Sequence, residues 1–215
     1  MDGITGTMRL YLVRHGQTSW NKEGRAQGHS DTELDDDGLA QARSLVAPFS
    51  KIEVKRVLSS DLKRCAQTAA CIGEATGVEV EHMKNLREQS FGSFEGSPYE
   101  VLRQHLAQVS AEKGIERYMA RAAGGESFHD VSLRIEKVAA TLDHGEPTVV
   151  VSHGGATSLL ISHLIGAGAQ AARAFRLANC SITELRRRED GVWQIVRLND
   201  CSHLEGALEG FGAGA

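Results

Sequence analysis

"LYLVRHGQTSWN", Leu10 to Asn21, starts as an apolar run and stops abruptly at Arg14, His15 and Gly16. A short apolar run closed by a polar turn reads as a buried β-strand, here Arg9 to Val13. A cation and an imidazole at the mouth of such a strand, followed by the residue of greatest backbone freedom, point to a ligand site. The pattern recurs twice. "VKRVLSS" (Val54 to Ser60) reads as a second strand, followed by Asp61 and then Arg64 on a helix. "PTVVVSHGG" (Pro147 to Gly155) reads as a third, ending in Ser152, His153 and Gly154.

Helical patterns fill the intervals. "DDDGLAQARSLVAPF" (Asp35 to Phe49) carries apolar residues at Leu39, Ala42, Leu45 and Val46, a helical spacing. Asp35, Asp36 and Asp37 at its start suit the positive end of the helix dipole. A carboxylate metal site is the weaker alternative, because adjacent positions point in different directions. Asp61 is expected to cap a helix that runs to about Thr76 and stops at Gly77. "VEVEH" (Val78 to His82) reads as a short strand, and Leu86 to Gly96 as a loop broken by Gly92 and Gly96. Tyr99 to about Ala122 reads as helical with a break at Gly114, and Ser127 to about Leu142 as a further helix. Gly154 and Gly155 open another, running to Ile165. "SITELRRR" (Ser181 to Arg188) and "VWQIVRL" (Val192 to Leu198) alternate like a hairpin around Glu189 to Gly191.

Strands alternating with helices predict a three-layer α/β/α sandwich with a mainly parallel sheet. Ligands of such sheets bind outside the carboxyl ends of the strands, where all three chemical turns fall. The expected organisation is a single domain over 1–215. Its core spans 8–200, with a short helical cap at about 97–123, a frayed start and a disordered Gly-rich tail at 205–215.

Composition narrows the function. A chain of 215 residues with 41% hydrophobic and 24% charged residues is an ordinary globular protein, and its formal net charge of −4 argues against nucleic acid as partner. No apolar run reaches the roughly 18 residues of a membrane span, and no secretory signal opens the chain. Cys65, Cys71, Cys180 and Cys201 form no C-x-x-C pair, which suits reduced thiols in a cytoplasmic protein. Cys180 to Arg186 fits the C-x5-R spacing of cysteine-dependent phosphatases. The intervening residues read as a strand without glycine, so the match is discarded. Neither a G-x-x-x-x-G-K-[ST] loop nor an H-E-x-x-H motif is present.

Two arginines, two histidines and the backbone N–H groups of helix starts, brought together at strand ends, make an anion site. The guanidinium fork fits phosphate oxygens, and histidine can attack phosphorus when one ring nitrogen is free and the other is held. "LVRHGQTSWN", "SSDLKRCAQTA", "LREQSFGSFEG" and "VVSHGG" resemble, in order, the four signature segments of the histidine phosphatase superfamily, the phosphoglycerate-mutase-like group. The resemblance covers Arg9 to about Leu198.

The resemblance implies that His15 is the nucleophile that becomes a phosphohistidine. Arg14, Arg64 and His153 complete the phosphate pocket, and Glu88 is the acid that protonates the leaving oxygen. Asn21 matches a further phosphate contact, Gln27 and Gly28 the segment beyond it, and Gly154 the turn after the second histidine. "GGES" (Gly124 to Ser127) and "NCSI" (Asn179 to Ile182) also resemble family stretches. The scheme needs no metal and no cofactor. Three departures from the common pattern are Gln17 for glutamate, Glu33 for proline and Cys65 for alanine; Glu33 bears on the shape of the loop over the pocket.

The segment from Glu88 to Glu126 is short, with Pro98 its only proline. In the group it resembles, mutases carry a longer, proline-rich insertion there, so the resemblance favours a phosphomonoester hydrolase acting on a small phosphorylated metabolite over a cofactor-dependent phosphoglycerate mutase or a non-catalytic regulator. Arg103, His105, Lys113, Arg117, Tyr118 and Arg121 in the cap either read a second anionic group or form a solvated face. His29, His82, His105, His129, His144, His163 and His203 are expected at surface or structural positions, and Glu81, Glu95 and Glu100 are the competing acids. The expected partner is a small phosphomonoester, with no nucleic acid and no membrane; a homodimer stays open.

Overall fold

The computed structural model describes residues 8–142 and 145–204. The start at 1–7, the tail at 205–215 and His144 lie outside the described residues. The strands are β1 (Arg9–Arg14), β2 (Arg56–Ser59), β3 (Val80–His82), β4 (Thr148–Ser152), β5 (Ile182–Arg187) and β6 (Trp193–Asp200). The helices are α1 (Ser19–Lys22), α2 (Asp36–Ser44), α3 (Val46–Phe49), α4 (Lys63–Thr76), α5 (Tyr99–Lys113), α6 (Phe128–Thr141) and α7 (Gly154–Leu164).

The strands form one sheet in the order β3-β2-β4-β1-β5-β6. β3, β2, β4 and β1 are parallel; β5 returns antiparallel to β1, and β6 antiparallel to β5. The strand period of two sorts side chains between two cores. Leu10, Leu12, Leu58 and Val150 face one way, onto Val131, Ile135 and Val138 of α6 and Leu159 of α7. Tyr11, Val13, Val57, Val149 and Val151 face the other way, onto Leu45, Phe49, Ala69 and Ile72. The mixed α/β sandwich is thus the consequence of continuous apolar strands that must be covered on both faces.

Register then places the chemistry. Val13 pairs with Val151 and Arg14 with Ser152, so β1 and β4 end level, and the His15 N–H donates to the Ser152 carbonyl at 2.9 Å. Ser59 pairs with Val151, which brings the end of β2 to the same edge.

Three local expectations are corrected. The helix expected over 35–49 breaks at Leu45, which ends α2 and starts α3. Pro48 has no N–H to donate to the Ser44 carbonyl, so a continuous helix would leave that acceptor unmet. Asp61 does not cap α4: Leu62 holds the N-cap position without a side-chain bond. Asp31 accepts from the Lys63 N–H at 2.7 Å instead, and Asp61 turns away to Arg87. Asp35 does cap α2, accepting from the Gly38 N–H at 2.8 Å. The cap helix α5 stops at Gly114, whose φ of +59° is left-handed, and only a 3₁₀ turn at Arg117–Met119 follows. No helix among the described residues is long and apolar enough to cross a membrane. The four cysteines are unpaired, with Cys65 and Cys180 buried.

α6 begins with a capping box in which Ser127 accepts from the Asp130 N–H and Asp130 accepts from the Ser127 N–H. Ser127→Ala removes half of it, and should cost about 1 kcal/mol. The expected result in urea unfolding is a lower midpoint with an unchanged slope.

Candidate active site

The turn after β1 is fixed from every side. The Gly16 N–H donates to Thr68 Oγ1 on α4 at 3.0 Å, and Thr68 in turn donates to the Arg64 carbonyl. Asn179 Nδ2 and the Cys180 N–H both donate to the His15 carbonyl, from the loop before β5. Gly16 is required by packing against α2: a Cβ there would sit 2.6 Å from the Gly38 carbonyl oxygen. Gly154 meets no such packing demand: a Cβ there would touch Arg14 only at ordinary contact distance, 3.7 Å.

Inside this frame the His15 ring is buried, and its Nδ1 lies 2.7 Å from the Gly16 carbonyl oxygen. A carbonyl can only accept, so Nδ1 carries the proton. Burial, then the Arg64 and Arg14 charges, pull the His15 pKa well below its ordinary value. The ring is therefore neutral, with the lone pair on Nε2. Arg14 donates through Nη1 to the Leu177 carbonyl at 2.6 Å, while its buried Nε–H has no partner among the described residues.

Arg64 is 1% exposed. Its Nε donates to His153 Nδ1 at 3.2 Å, Nη1 to the Ser30 carbonyl and Nη2 to the Gly28 carbonyl, each at 2.8 Å. Because Arg64 is a pure donor, His153 Nδ1 is the acceptor and Nε2–H donates to Ser60 Oγ at 2.9 Å. Burial and the neighbouring cations also push the His153 pKa well down. The two imidazoles meet edge to face, with centroids 5.1 Å apart. Cys65 packs against the same ring, its Sγ 3.4 Å from His153 Nε2, and burial pushes its thiol up to about 12.

Glu88 reaches the site from the loop after β3. Its Oε2 accepts from the Gly155 N–H, and its Oε1 from the Gln89 N–H, both at 2.9 Å. Gly155, expected only to open a helix, is sterically bound to this contact, since a Cβ there would lie 2.6 Å from Glu88 Oε1. The competing acids are placed elsewhere. Glu95 accepts from the His29 and Phe91 N–H groups and the Ser30 hydroxyl, Glu81 pairs with Arg56, and Glu100 pairs with Arg103 at the rim.

One cavity of about 760 Å³ is lined by Arg14, His15, Asn21, Gln27, Gly28, Arg64, Glu88, His153 and Gly154. The Oδ1 of Asn21 is occupied by its capping box with Thr18, and the Oε1 of Gln27 accepts from Thr32. Glu33 is held at the surface by Lys63, 2.9 Å away. Cys180 lies in the core cluster beneath β1 and β5, and burial raises its thiol pKa. His29 takes a structural position: it is half-buried, and its Nε2 reaches the Glu88 carbonyl at 2.9 Å. Arg134, which the sequence reading passed over, contacts the same loop. The signal for it is a cation interrupting the apolar stripe of Val131, Ile135 and Val138.

The arrangement presents a neutral nucleophilic nitrogen, two guanidinium groups and a carboxyl group around one small space. It also sets a pH dependence. Both buried histidines have depressed pKa values, so the unfolded chain takes up protons below the ordinary value of 6.5 that the folded chain does not. Stability must therefore fall as pH drops through that value. Between about pH 7.5 and about pH 5.5, each histidine should contribute a loss on the order of 1 kcal/mol. Denaturant unfolding of His15→Asn should show a shallower pH dependence than the parent; equal slopes would refute the neutral assignment.

The sequence profile described as "Histidine phosphatase superfamily (branch 1)" matches residues 10–201. A protein of Salmonella choleraesuis (strain SC-B67) named "Probable phosphoglycerate mutase GpmB" is 34% identical over 211 residues, spanning 92% of this chain and 95% of its own. Among solved structures, the alpha-ribazole phosphatase of Shigella flexneri is similar with a TM-score of 0.80 at 31% identity, covering 90% of this chain and 96% of that one. A mycobacterial glucosyl-3-phosphoglycerate phosphatase is similar with a TM-score of 0.74 at 30% identity, covering 90% and 99%. With the profile matched over nearly its whole length, the chain belongs to the histidine phosphatase superfamily, branch 1.

Proposed function

We propose that the protein hydrolyses a small phosphomonoester through a phosphohistidine at His15, with its own arginines supplying the charge neutralisation. The observation that carries this reading is the state of His15: Nδ1–H is committed to the Gly16 carbonyl, and the neutral ring leaves Nε2 as the nucleophile. Attack by Nε2 forms the P–N bond as the P–O ester bond breaks. Arg14 and Arg64 stabilise the charge on the phosphoryl oxygens with little reorganisation. The leaving oxygen takes the proton of Glu88. Water then attacks phosphorus, the P–N bond breaks, and the Glu88 carboxylate takes the proton of the water.

The rest of the cavity speaks to the leaving group. Arg25, Arg103, Arg117 and Arg173 also line the cavity; Arg25 is paired with Glu23 and Arg103 with Glu100, while Arg117 and Arg173 make no ion pair among the described residues. Two such guanidinium groups on the cavity wall, in a chain of net charge −4, favour an ester with a second acidic group. A mutase reading is supported by the name of the 34% identical relatives. The cap argues for hydrolysis: beyond the 15 residues of α5 it holds only a 3₁₀ turn, little cover to keep water from a phosphohistidine.

Brief reaction with labelled ester and an alkaline quench should leave acid-labile, base-stable label that is absent from His15→Ala. A panel of phosphomonoesters with and without a carboxylate, 3- and 2-phosphoglycerate among them, should release phosphate without a bisphosphate primer. Interconversion of the two phosphoglycerates much faster than hydrolysis of either would establish the mutase instead.

Glu88→Gln keeps the size of the side chain and removes the proton chemistry. Hydrolysis of an alkyl phosphate should fall by roughly 10²- to 10⁴-fold, the usual worth of a general acid. The burst of His15 phosphorylation by nitrophenyl phosphate, whose leaving group needs no proton, should fall far less. Equal losses in the two would remove Glu88 from the acid role.

A further inference from the structure

The loop that carries Glu88 has little regular structure of its own. Lys84–Leu86 form one 3₁₀ turn, and the residues from Arg87 to Ser90 belong to no strand or helix. An acid on such a loop would sample a range of positions, and proton transfer tolerates little of that. The loop's carbonyl groups are nevertheless satisfied, and by one side chain above all.

Arg134, on α6, donates through Nη1 to the Asn85 carbonyl at 2.9 Å and to the Arg87 carbonyl at 2.5 Å. Its Nη2 donates to the Glu88 carbonyl at 2.8 Å. The fork is itself held by Glu126, whose Oε1 accepts from Nε and whose Oε2 accepts from Nη2, both at 3.0 Å. The same Glu126 Oε2 accepts from the Ser90 N–H at 2.9 Å, and the Glu126 backbone carbonyl accepts from Gln89 Nε2 at 2.7 Å. His29 Nε2 adds a second donor to the Glu88 carbonyl and stands 3.6 Å from Glu126 Oε2. Burial pushes the Glu126 carboxyl up, but the Arg134 and Ser90 hydrogen bonds outweigh it and hold the group below its ordinary range. The ion pair is therefore present at neutral pH. The Arg134 side chain is 14% exposed and that of Glu126 25%, so solvent screens the pair only in part.

We propose that the Arg134–Glu126 pair, with His29, is the positioning device for Glu88, fixing its carboxyl against the leaving oxygen of the substrate. The inference rests on the proposed hydrolase reading and on Glu88 as its acid. Neither charged partner lines the cavity, so they act through the loop backbone and not by touching substrate. A planar fork suits the task because it reaches three carbonyls and a carboxylate at once. A lysine ammonium keeps the charge without that geometry. The device also separates two halves of the site. The phosphate pocket of Arg14, His15 and Arg64 makes no hydrogen bond to Arg134, so loss of the fork should disturb the acid while sparing the nucleophile.

The test is Arg134→Lys, with Glu126→Gln as the second variant, assayed on two esters. Misplacing a catalytic group by about 1 Å costs on the order of 10²-fold. Hydrolysis of an alkyl phosphate should fall by about that factor in kcat, with little change in KM. The nitrophenyl phosphate burst should fall far less. In a Glu88→Gln background the further loss on the alkyl ester should vanish, because the group being positioned no longer transfers a proton.

Four results would overturn the proposal: equal losses on the two esters, no loss on either, a full additional loss in the Glu88→Gln background, or failure of both variants to fold. A failure of the underlying reading shows earlier and separately, as a parent protein that forms no phosphohistidine or a Glu88→Gln variant without the leaving-group split.

Discussion

A guanidinium that is 1% exposed sets the terms for this structure. Arg64 carries a charge that never titrates away at ordinary pH, so its burial is tolerable only if its N–H groups are matched. His153, Ser30 and Gly28 supply those acceptors from two different parts of the chain. The loop around Gly28 is thereby drawn over the strand ends, and His153 is forced into the tautomer that donates to Ser60. Removing any of the acceptors would leave a buried charge short of a partner, the costly case for a polar group in a low-dielectric interior.

The sheet makes the demand possible. β1, β2 and β4 are parallel and in register, so three unrelated turns end at one edge. The apolar alternation that covers both faces of β1 also fixes which way each side chain points. A slip of one residue would exchange the two cores and carry His15 out of the site. Packing and chemistry are thus coupled through register, and not through any one strong bond.

The electrostatics follow from burial. A neutral imidazole between two cations is an awkward arrangement for a surface, where the ring would gain a proton freely near its ordinary value. In the interior, desolvation and the Arg64 and Arg14 charges act in the same direction and keep the lone pair available. The family relation covers nearly the whole chain, but the relatives named as mutases and the similar structures named as phosphatases share this core. A shared core of this kind does not by itself fix the chemistry performed on it.

The sequence by itself determined the strands, the strand-end turns and most of the helix limits, because these rest on local physics. Alternation in "RLYLV", glycine at 77 and 114, and the Ser127 cap act over a few residues and can be read from a few residues. The same holds for Arg14, His15 and His153, whose types are conspicuous at the end of an apolar run. Only the tertiary structure decided what holds them. Asp61 looks like a helix cap and is instead the partner of Arg87, while Asp31 caps α4 from 32 positions away. Glu88 finds the Gly155 N–H 67 positions on, and the Arg134 fork and His29 reach its loop across separations of 46 and 59. Hydrogen bonds of that range depend on how the layers stack, and a side chain able to serve many acceptors carries no local mark of which one it will meet.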